Sequence, residues 1–569
     1  MGLMQPVIRR RVASSGNLPS TLHPVLRRVY AQRGVTSEAE LSLDLKALLP
    51  PQHLLGIDRA CDELQRAMTS GGKIVVVGDY DADGATGAAL AVTALRAMGA
   101  VAPEYLVPSR FHQGYGLSPA LAEAARDMGA QLLLTVDNGI ASLAGVARAR
   151  ELSLRVAVTD HHLAGPQLPA ADAIVNPNQP GCGFASKHLA GVGVMFYVLS
   201  ALRARLRDIG WFADRAEPRM AGFLDLVAVG TVADVVRLDY NNRILVAQGL
   251  ARIRAGRARP GIRALLTVAG RSADRVGSMD LAFAVGPRLN AAGRLEDMRL
   301  GIECLLSESE GSALEMAQRL DAINRERRDI EAQMRDEAMA MVDALDAGAV
   351  GLTLFDAGWH EGVVGLVASR VKDKLHRPTF AFARARDAGM LKGSGRSVAG
   401  LHIRDALALV DARRPGLIAR FGGHAMAAGL TLPEAHLDEF RALFQSICRE
   451  ALDDEALERV LESDGELGAA ELTLDTARAL EGAGPWGQGF PEPLFDGAFE
   501  VHESRIVGER HARYRLRAGE RTFDAIQFNA AATLAPPGPV ELAYRLGVNR
   551  YQGLESAELR VELLRRPGA

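Results

Sequence analysis

Three apolar, β-branched runs that each end in aspartate constrain this chain more than any other feature: KIVVVGD at 73–79, QLLLTVD at 131–137 and LRVAVTD at 154–160. Helical stretches such as GATGAALAVTALRAMG stand between them. Short buried strands alternating with helices from about residue 73 to 236 predict a parallel sheet covered by helices on both faces. In open α/β sheets ligands bind at the carboxyl edge of the strands, which is where these aspartates fall.

The chain has 569 residues, too many for one hydrophobic core, and its length predicts roughly three or four domains. Residues 307–345 contain no proline and place Leu314, Ala317, Leu320, Ile323, Ile330, Met334 and Met341 largely at helical spacings, which predicts one long helix. At about 1.5 Å per residue, roughly 36 residues would span about 50 Å, enough to join two lobes. A second, smaller α/β unit runs over about residues 350–452, with strand GLTLF, helix GVVGLVASRVKDKLH, strand PTFAFAR and the glycine-rich blocks KGSGRS and FGGHAMAAG. Past about residue 467 come five short alternating runs, FEVHESRIVGE, ARYRLRAG, RTFDAIQFN, PVELAYRLGV and SAELRVELLR. They suit a C-terminal OB-like β-barrel, a fold often used on single strands, and a regulatory β-sandwich fits the same pattern. The expected divisions are an N-terminal extension over 1–70, the parallel-sheet domain over 71–306, the connecting helix over 307–347, the smaller α/β domain over 348–467 and the barrel over 468–569.

Composition excludes several classes. With 48% hydrophobic and 24% charged residues the chain reads as soluble and globular, and the weakly polar run at 189–202 is shorter than the roughly 18–20 residues of a membrane helix. It is expected to be a buried helix. Arg9, Arg10 and Arg11 precede VASSGNLPSTLHP, which lacks the apolar core of a signal peptide, so a cytoplasmic location is expected. Cys61, Cys182, Cys304 and Cys448 stand far apart, against both a disulfide framework and a cysteine zinc site. A net charge of −3 neither supports nor excludes a nucleic-acid substrate.

The chemistry centres on GDYDADGATG, where Asp79, Asp81 and Asp83 alternate just past a strand. Ionised carboxylates this dense repel one another and call for cations. An EF-hand fails, because position 12 of that loop would be Leu90 and a strand precedes it where a helix belongs. An aspartyl-phosphate phosphatase fails too, since its fifth position is here Asp83 and the downstream ligands would go unexplained. Further candidate ligands each end a predicted strand or lie in the loop after it: Asp137 in TVDNG, Asp160, His161 and His162 in VTDHH, and Asp234 in GTVADVV. Mixed carboxylate and imidazole ligands suit Mn²⁺ or Mg²⁺ better than Ca²⁺ or a structural zinc.

In order and rough spacing, GDYDADG, TVDNG, DHH and GTVADVV resemble the DHH phosphoesterase superfamily. GPRLNAAGR at 286–294, GWHEGVVGLVASR, GSGRS and GGHAMAAG are similar to the RecJ-type exonucleases and their DHH-associated domain. The resemblance covers about residues 75–430. It implies Asp81, Asp83, Asp137, His161 and Asp234 as metal ligands, with Asp137 the bridge. Many relatives have a His before the aspartates where this chain has Val77, and Asp79 is the candidate to replace it. His162 would sit beside the scissile phosphate as ligand or electrophile, and Asp160 would orient an imidazole. Two cations roughly 3.5–4 Å apart would activate a shared water and neutralise the leaving oxygen. Thr86 is a helix-start residue able to donate to phosphate.

Candidate phosphate binders are Arg110, Arg288, Arg294, Ser394, Arg396 and His424, with nearby glycines allowing backbone N–H groups close to an anion. Asn290 reads as a turn or sheet-edge residue, and Phe111 and Tyr115 as base-stacking platforms or core residues. The resemblance implies a 5′→3′ exonuclease of single-stranded DNA in recombination and repair, monomeric, working with a single-strand-binding protein and a recombination helicase, its narrow opening excluding duplex. A hydrolase of short oligonucleotides or cyclic dinucleotides and an inactive replisome scaffold are the alternatives. Some relatives carry a further C-terminal domain, before which this chain is expected to stop.

Overall fold

Ile74–Val77, the strand inside KIVVVGD, is buried at every position because it lies in the interior of a five-stranded parallel sheet. The strand order is Glu104–Leu106, Ile74–Val77, Leu132–Val136, Arg155–Thr159, Ala173–Val175. Side chains alternate between the faces, as the two-residue strand period requires. Ile74 and Val76 pack into a core with the helices Ala82–Ala97 and Gly191–Asp208, whereas Val75 and Val77 pack against Pro119–Asp127 and Leu143–Glu151. The order reverses beside Ile74–Val77, whose neighbours are the second and third strands in sequence, and in open α/β sheets such a switch point is where ligands bind at the carboxyl edge.

The computed structural model describes residues 6–109, 115–343 and 348–567, in two units: Arg11–Asn324 with Asp464–Ala569, and Met1–Arg10 with Arg325–Ser463. Arg110 and Phe111, a phosphate binder and a stacking platform in the sequence reading, lie outside the described residues. None of the described helices is long and apolar enough to cross a membrane. The run at 189–202 is indeed a buried helix, Gly191–Asp208.

Asp234 does not follow a strand. The segment before it forms the helix Leu224–Ala233, and Asp234 is that helix's C-cap residue. LDLVAVGTVA is apolar on every side and packs among neighbouring helices, so no helical period marks it, and its β-branched residues imitate a strand.

The barrel closes as Phe495–Val507, His511–Ala518, Arg521–Gln527, Leu554–Arg565 and Gly538–Tyr551, the last pairing back to the first. Its interior residues Phe495, Tyr514 and Tyr544 belong to the same hydrophobic core as Leu90 and Val192 of the sheet domain. The long helix Glu310–Asp343 runs from this unit into the other. There a mixed sheet orders as Arg420–Gly423, Ala427–Pro433, Met390–Arg396, Thr379–Arg384, Leu352–Phe355 around Phe380, Phe382, Phe440 and Phe444. The glycine-rich blocks are therefore strands. Gly393 and Gly395 lack side chains because the rings of Phe382 and Phe380 occupy that space, and Met390–Arg396 pairs with a neighbour on each side. Its backbone N–H groups serve the ladder, which corrects the expectation that they approach an anion.

Candidate metal centre

The D-x-D-x-D cluster divides its work. Asp81 is the N-cap of Ala82–Ala97, its Oδ1 accepting from the amides of Asp83 and Gly84 at 3.0 Å each. Asp83 accepts from Gly191 N at 2.6 Å and Val192 N at 2.9 Å, so both its oxygens hold the N-terminus of the Gly191–Asp208 helix. Asp79 is buried between strand and helix. Asn290 lies in the helix Gly286–Leu295, not in a turn or sheet edge, and accepts from Ala82 N at 2.7 Å. Thr86 donates within its own helix to the carbonyl of Ala82.

TVDNG makes a pinned turn. Asn138 donates to the carbonyls of Val77 and Val136 at 3.0 and 2.9 Å, and Asp137 has a φ of 63°, a region that costs an L-residue roughly 1–2 kcal/mol and that Asp tolerates better than most. In DHH, Asp160 gathers the turn: Oδ1 accepts from His161 N at 2.7 Å, His162 N at 3.1 Å and His162 Nδ1 at 2.7 Å, and Oδ2 accepts from Ile140 N at 2.9 Å. Two residues escaped the sequence reading. Asn176 and Asn178 donate to the carbonyls of His162 and His161 at 2.9 and 2.6 Å; the only signal was the NPN turn after the last sheet strand.

These elements converge on three overlapping groups, Asp79–Asp81–Asp137, Asp83–His161–Asp234 and Asp137–His161–His162, each with candidate donor atoms within 4.8 Å of one another. His161 Nε2 stands 3.0 Å from Asp137 Oδ1, 3.5 Å from Asp234 Oδ2 and 3.9 Å from Asp83 Oδ2. Asp137 Oδ1 and His161 Nε2 are both buried, and neither makes a hydrogen bond among the described residues. Burial and mutual repulsion push the carboxyls up: Asp83, facing Asp234, to about 7, Asp234, facing Asp81, to about 8, and Asp137 well above the carboxylate range. Burial and the neighbouring His162 hold His161 below its ordinary value, which favours the neutral imidazole. Burial opposes a charged His162, but the hydrogen bond and charge of Asp160 lift it to about 9; burial likewise opposes an ionised Asp160, which the His162 bond and both imidazoles hold below its usual range. Oxygen and imidazole donors with unmet acceptor capacity and stored carboxylate repulsion fit hard or borderline divalent cations.

Of the candidate phosphate binders, Arg288 is committed to Asp321, with Nε and Nη2 at 2.9 and 2.7 Å from one carboxylate oxygen. Arg294 lies in the last turn of the same helix. In the other unit Ser394 Oγ lies 3.0 Å from Arg396 Nη1, both on Met390–Arg396, and His424 is exposed in the turn between Arg420–Gly423 and Ala427–Pro433.

Family models agree with this architecture: the DHH family N-terminal domain matches residues 73–231, the DHHA1 domain 346–450 and the RecJ OB domain 463–563. The chain is 54% identical, over 98% of its own length and 98% of the relative's, to the single-stranded-DNA-specific exonuclease RecJ of Dickeya dadantii. It is also similar to crystal structures of RecJ from Thermus thermophilus: one in complex with Mn²⁺, TM-score 0.82 and 31% identity over 99% of this chain and 80% of that one, and one in complex with Mg²⁺, TM-score 0.77 and 30% identity over 99% and 79%. A carboxylate-rich DHH centre at the sheet edge, an associated domain and a closed terminal barrel thus occur here together with near-full-length identity, and the chain belongs to the RecJ family of the DHH superfamily.

Proposed function

We propose that this chain is a metal-dependent exonuclease that hydrolyses phosphodiester bonds of single-stranded DNA from the 5′ end, in DNA recombination and repair. The observation that carries this reading is the buried pair Asp137 Oδ1 and His161 Nε2, donors that meet at the sheet edge in a chain whose relatives are single-strand exonucleases. Mn²⁺ or Mg²⁺ held by Asp79, Asp81, Asp83, Asp137, His161 and Asp234, with Asp137 shared, would supply an acidified water and the charge that offsets the leaving oxygen. With Nδ1 given to Asp160, His162 acts through Nε2 at the phosphate, giving a hydrogen bond to a nonbridging oxygen or ligating beside it.

A 5′-phosphate site is supported by Ser394 and Arg396. A Cβ on Gly365, in the first turn of Val364–Leu375, would come within 2.9 Å of Ser394 Oγ and 3.0 Å of Arg396 Nη2, so this glycine leaves room where a hydroxyl, a guanidinium and a helix N-terminus meet. Arg110, Arg288, Arg294 and His424 are assigned further phosphate contacts. In the cell such an enzyme would work as a cytoplasmic monomer on strands opened by a recombination helicase and coated by a single-strand-binding protein.

The test supplies Mn²⁺ or Mg²⁺ to the purified chain with end-labelled single-stranded DNA, duplex DNA, RNA and dinucleotides. Mononucleotides released from the 5′ end of single strands are expected. Cleavage of dinucleotides alone would make it an oligonucleotide hydrolase, and no cleavage with either cation would leave a scaffold.

A further inference from the structure

Tyr115 stands beside the DHH turn. Tyr115 Oη lies 2.9 Å from the carbonyl oxygen of Asp137 and 2.9 Å from Nδ1 of His162. Its proton is directed at the Asp137 carbonyl, and because the oxygen is also 3.4 Å from Nε2 of His162 it stands over the face of the imidazole, not in line with Nδ1–H. Nδ1 of His162 also faces Asp160 Oδ1 at 2.7 Å. The imidazole is thus held at Nδ1 by a carboxylate at the end of one strand and covered on one face by a phenol oxygen anchored on the backbone at the end of the neighbouring strand. The rings pack edge-on, Tyr115 to His162 with centroids 5.4 Å apart at 74° and Tyr80 to Tyr115 with centroids 6.4 Å apart at 77°.

We propose that the Tyr115 hydroxyl is a positioning group for His162, tying the plane of its imidazole to the backbone of Asp137. The proposal rests on the assignment of His162 to the scissile phosphate. Asp160 fixes Nδ1, and the phenol oxygen lies against the face of the ring, opposing a tilt toward that side. Because the same hydroxyl also binds the Asp137 carbonyl, the imidazole keeps register with the carboxylate on which the candidate ligands converge. Positioning groups of this kind typically matter about 10- to 100-fold.

Four proteins decide it: wild type, Tyr115→Phe, His162→Ala and the double variant. Tyr115→Phe should lower kcat about 10-fold or more, with KM and Mn²⁺ affinity within about twofold of wild type. In the double variant the Phe change should cost nothing beyond His162→Ala, since the group it positions is gone. Independently of turnover, ring-¹⁵N-labelled histidine spectra of the Mg²⁺-loaded protein should show the His162 Nδ1–H signal moved or broadened by Tyr115→Phe. A kcat within twofold of wild type together with an unchanged signal would overturn the proposal, as would losses that multiply in the double variant. If Tyr115→Phe is silent while Tyr115→Leu raises KM, the ring is a stacking platform and the hydroxyl is incidental. Should wild type cleave no substrate, the functional reading fails, and the histidine signal alone then decides the positioning claim.

Discussion

Gly191 lies so close to Asp137 that a methyl group on it would sit 2.5 Å from the aspartate's Cβ. The same residue gives its amide to Asp83 at 2.6 Å. One glycine therefore sets the distance between two candidate metal ligands that stand far apart in sequence. Gly191→Ala should push the helix or Asp137 aside and weaken Mn²⁺ binding about 10- to 100-fold. Titration calorimetry measures this, and an unchanged affinity would mean that the backbone absorbs the methyl elsewhere.

Asp137→Ala should remove the carboxylate shared by two of the three ligand groups. Loss of the shared ligand is expected to cost several kcal/mol of transition-state stabilisation, about a thousandfold or more in kcat, with single-strand binding retained. Turnover near wild type at saturating Mn²⁺ would remove Asp137 from the centre.

Stability of the metal-free protein should fall as pH rises. Burial and mutual repulsion raise Asp83 and Asp234 above their unfolded values near 3.9, toward about 7 and about 8, so across that range the native state holds more protons than the unfolded one. Stability is then lost from about pH 4 to pH 8, the reverse of a salt-bridged carboxylate. Cations relieve the same repulsion, so the rise in Tm on adding Mn²⁺ should be larger at pH 8 than at pH 6. Calorimetry with and without metal at both pH values tests the sign, and an equal or smaller shift at pH 8 contradicts it.

Arg33 and Asp464 form a bidentate pair, 2.7 and 3.0 Å, with side chains 1% and 0% exposed. Asp464 also accepts from Leu494 N at 3.0 Å, which ties the approach to the barrel to the N-terminal helix Pro24–Ala31 and the turn after it. Asp464→Ala strands a buried guanidinium and should cost about 3–5 kcal/mol. Denaturant or thermal unfolding should show this as a shifted transition; a loss under about 1 kcal/mol would mean that water reaches Arg33.

Arg396→Ala should lower the preference for 5′-phosphorylated over 5′-hydroxyl ends by removing a charge-assisted contact worth about 1.5–3 kcal/mol. KM should rise and metal affinity stay unchanged. A variant that keeps the full preference would place the phosphate site elsewhere.

Much of this fold was legible because it is written in local periodicity. Residues buried on both faces of a strand must be apolar in succession, so the first polar residue after each run, Asp79, Asp137 or Asp160, marks the carboxyl edge of the sheet. The spacing of Leu314, Ala317 and Leu320 announced the long helix, and alternating runs announced the barrel strands. Where burial is complete, periodicity vanishes, and the helix before Asp234 was taken for a strand. Only the tertiary structure decided which residues serve the centre indirectly. Asp83 meets the amide of Gly191 108 residues later, Asn176 and Asn178 clamp the DHH backbone, and Arg288 turns to Asp321. Gly393 and Gly395, which looked like an anion cradle, are glycines because Phe382 and Phe380 lie over them. Such contacts depend on excluded volume and hydrogen-bond direction between segments distant in sequence, and these come into being only when the chain is folded.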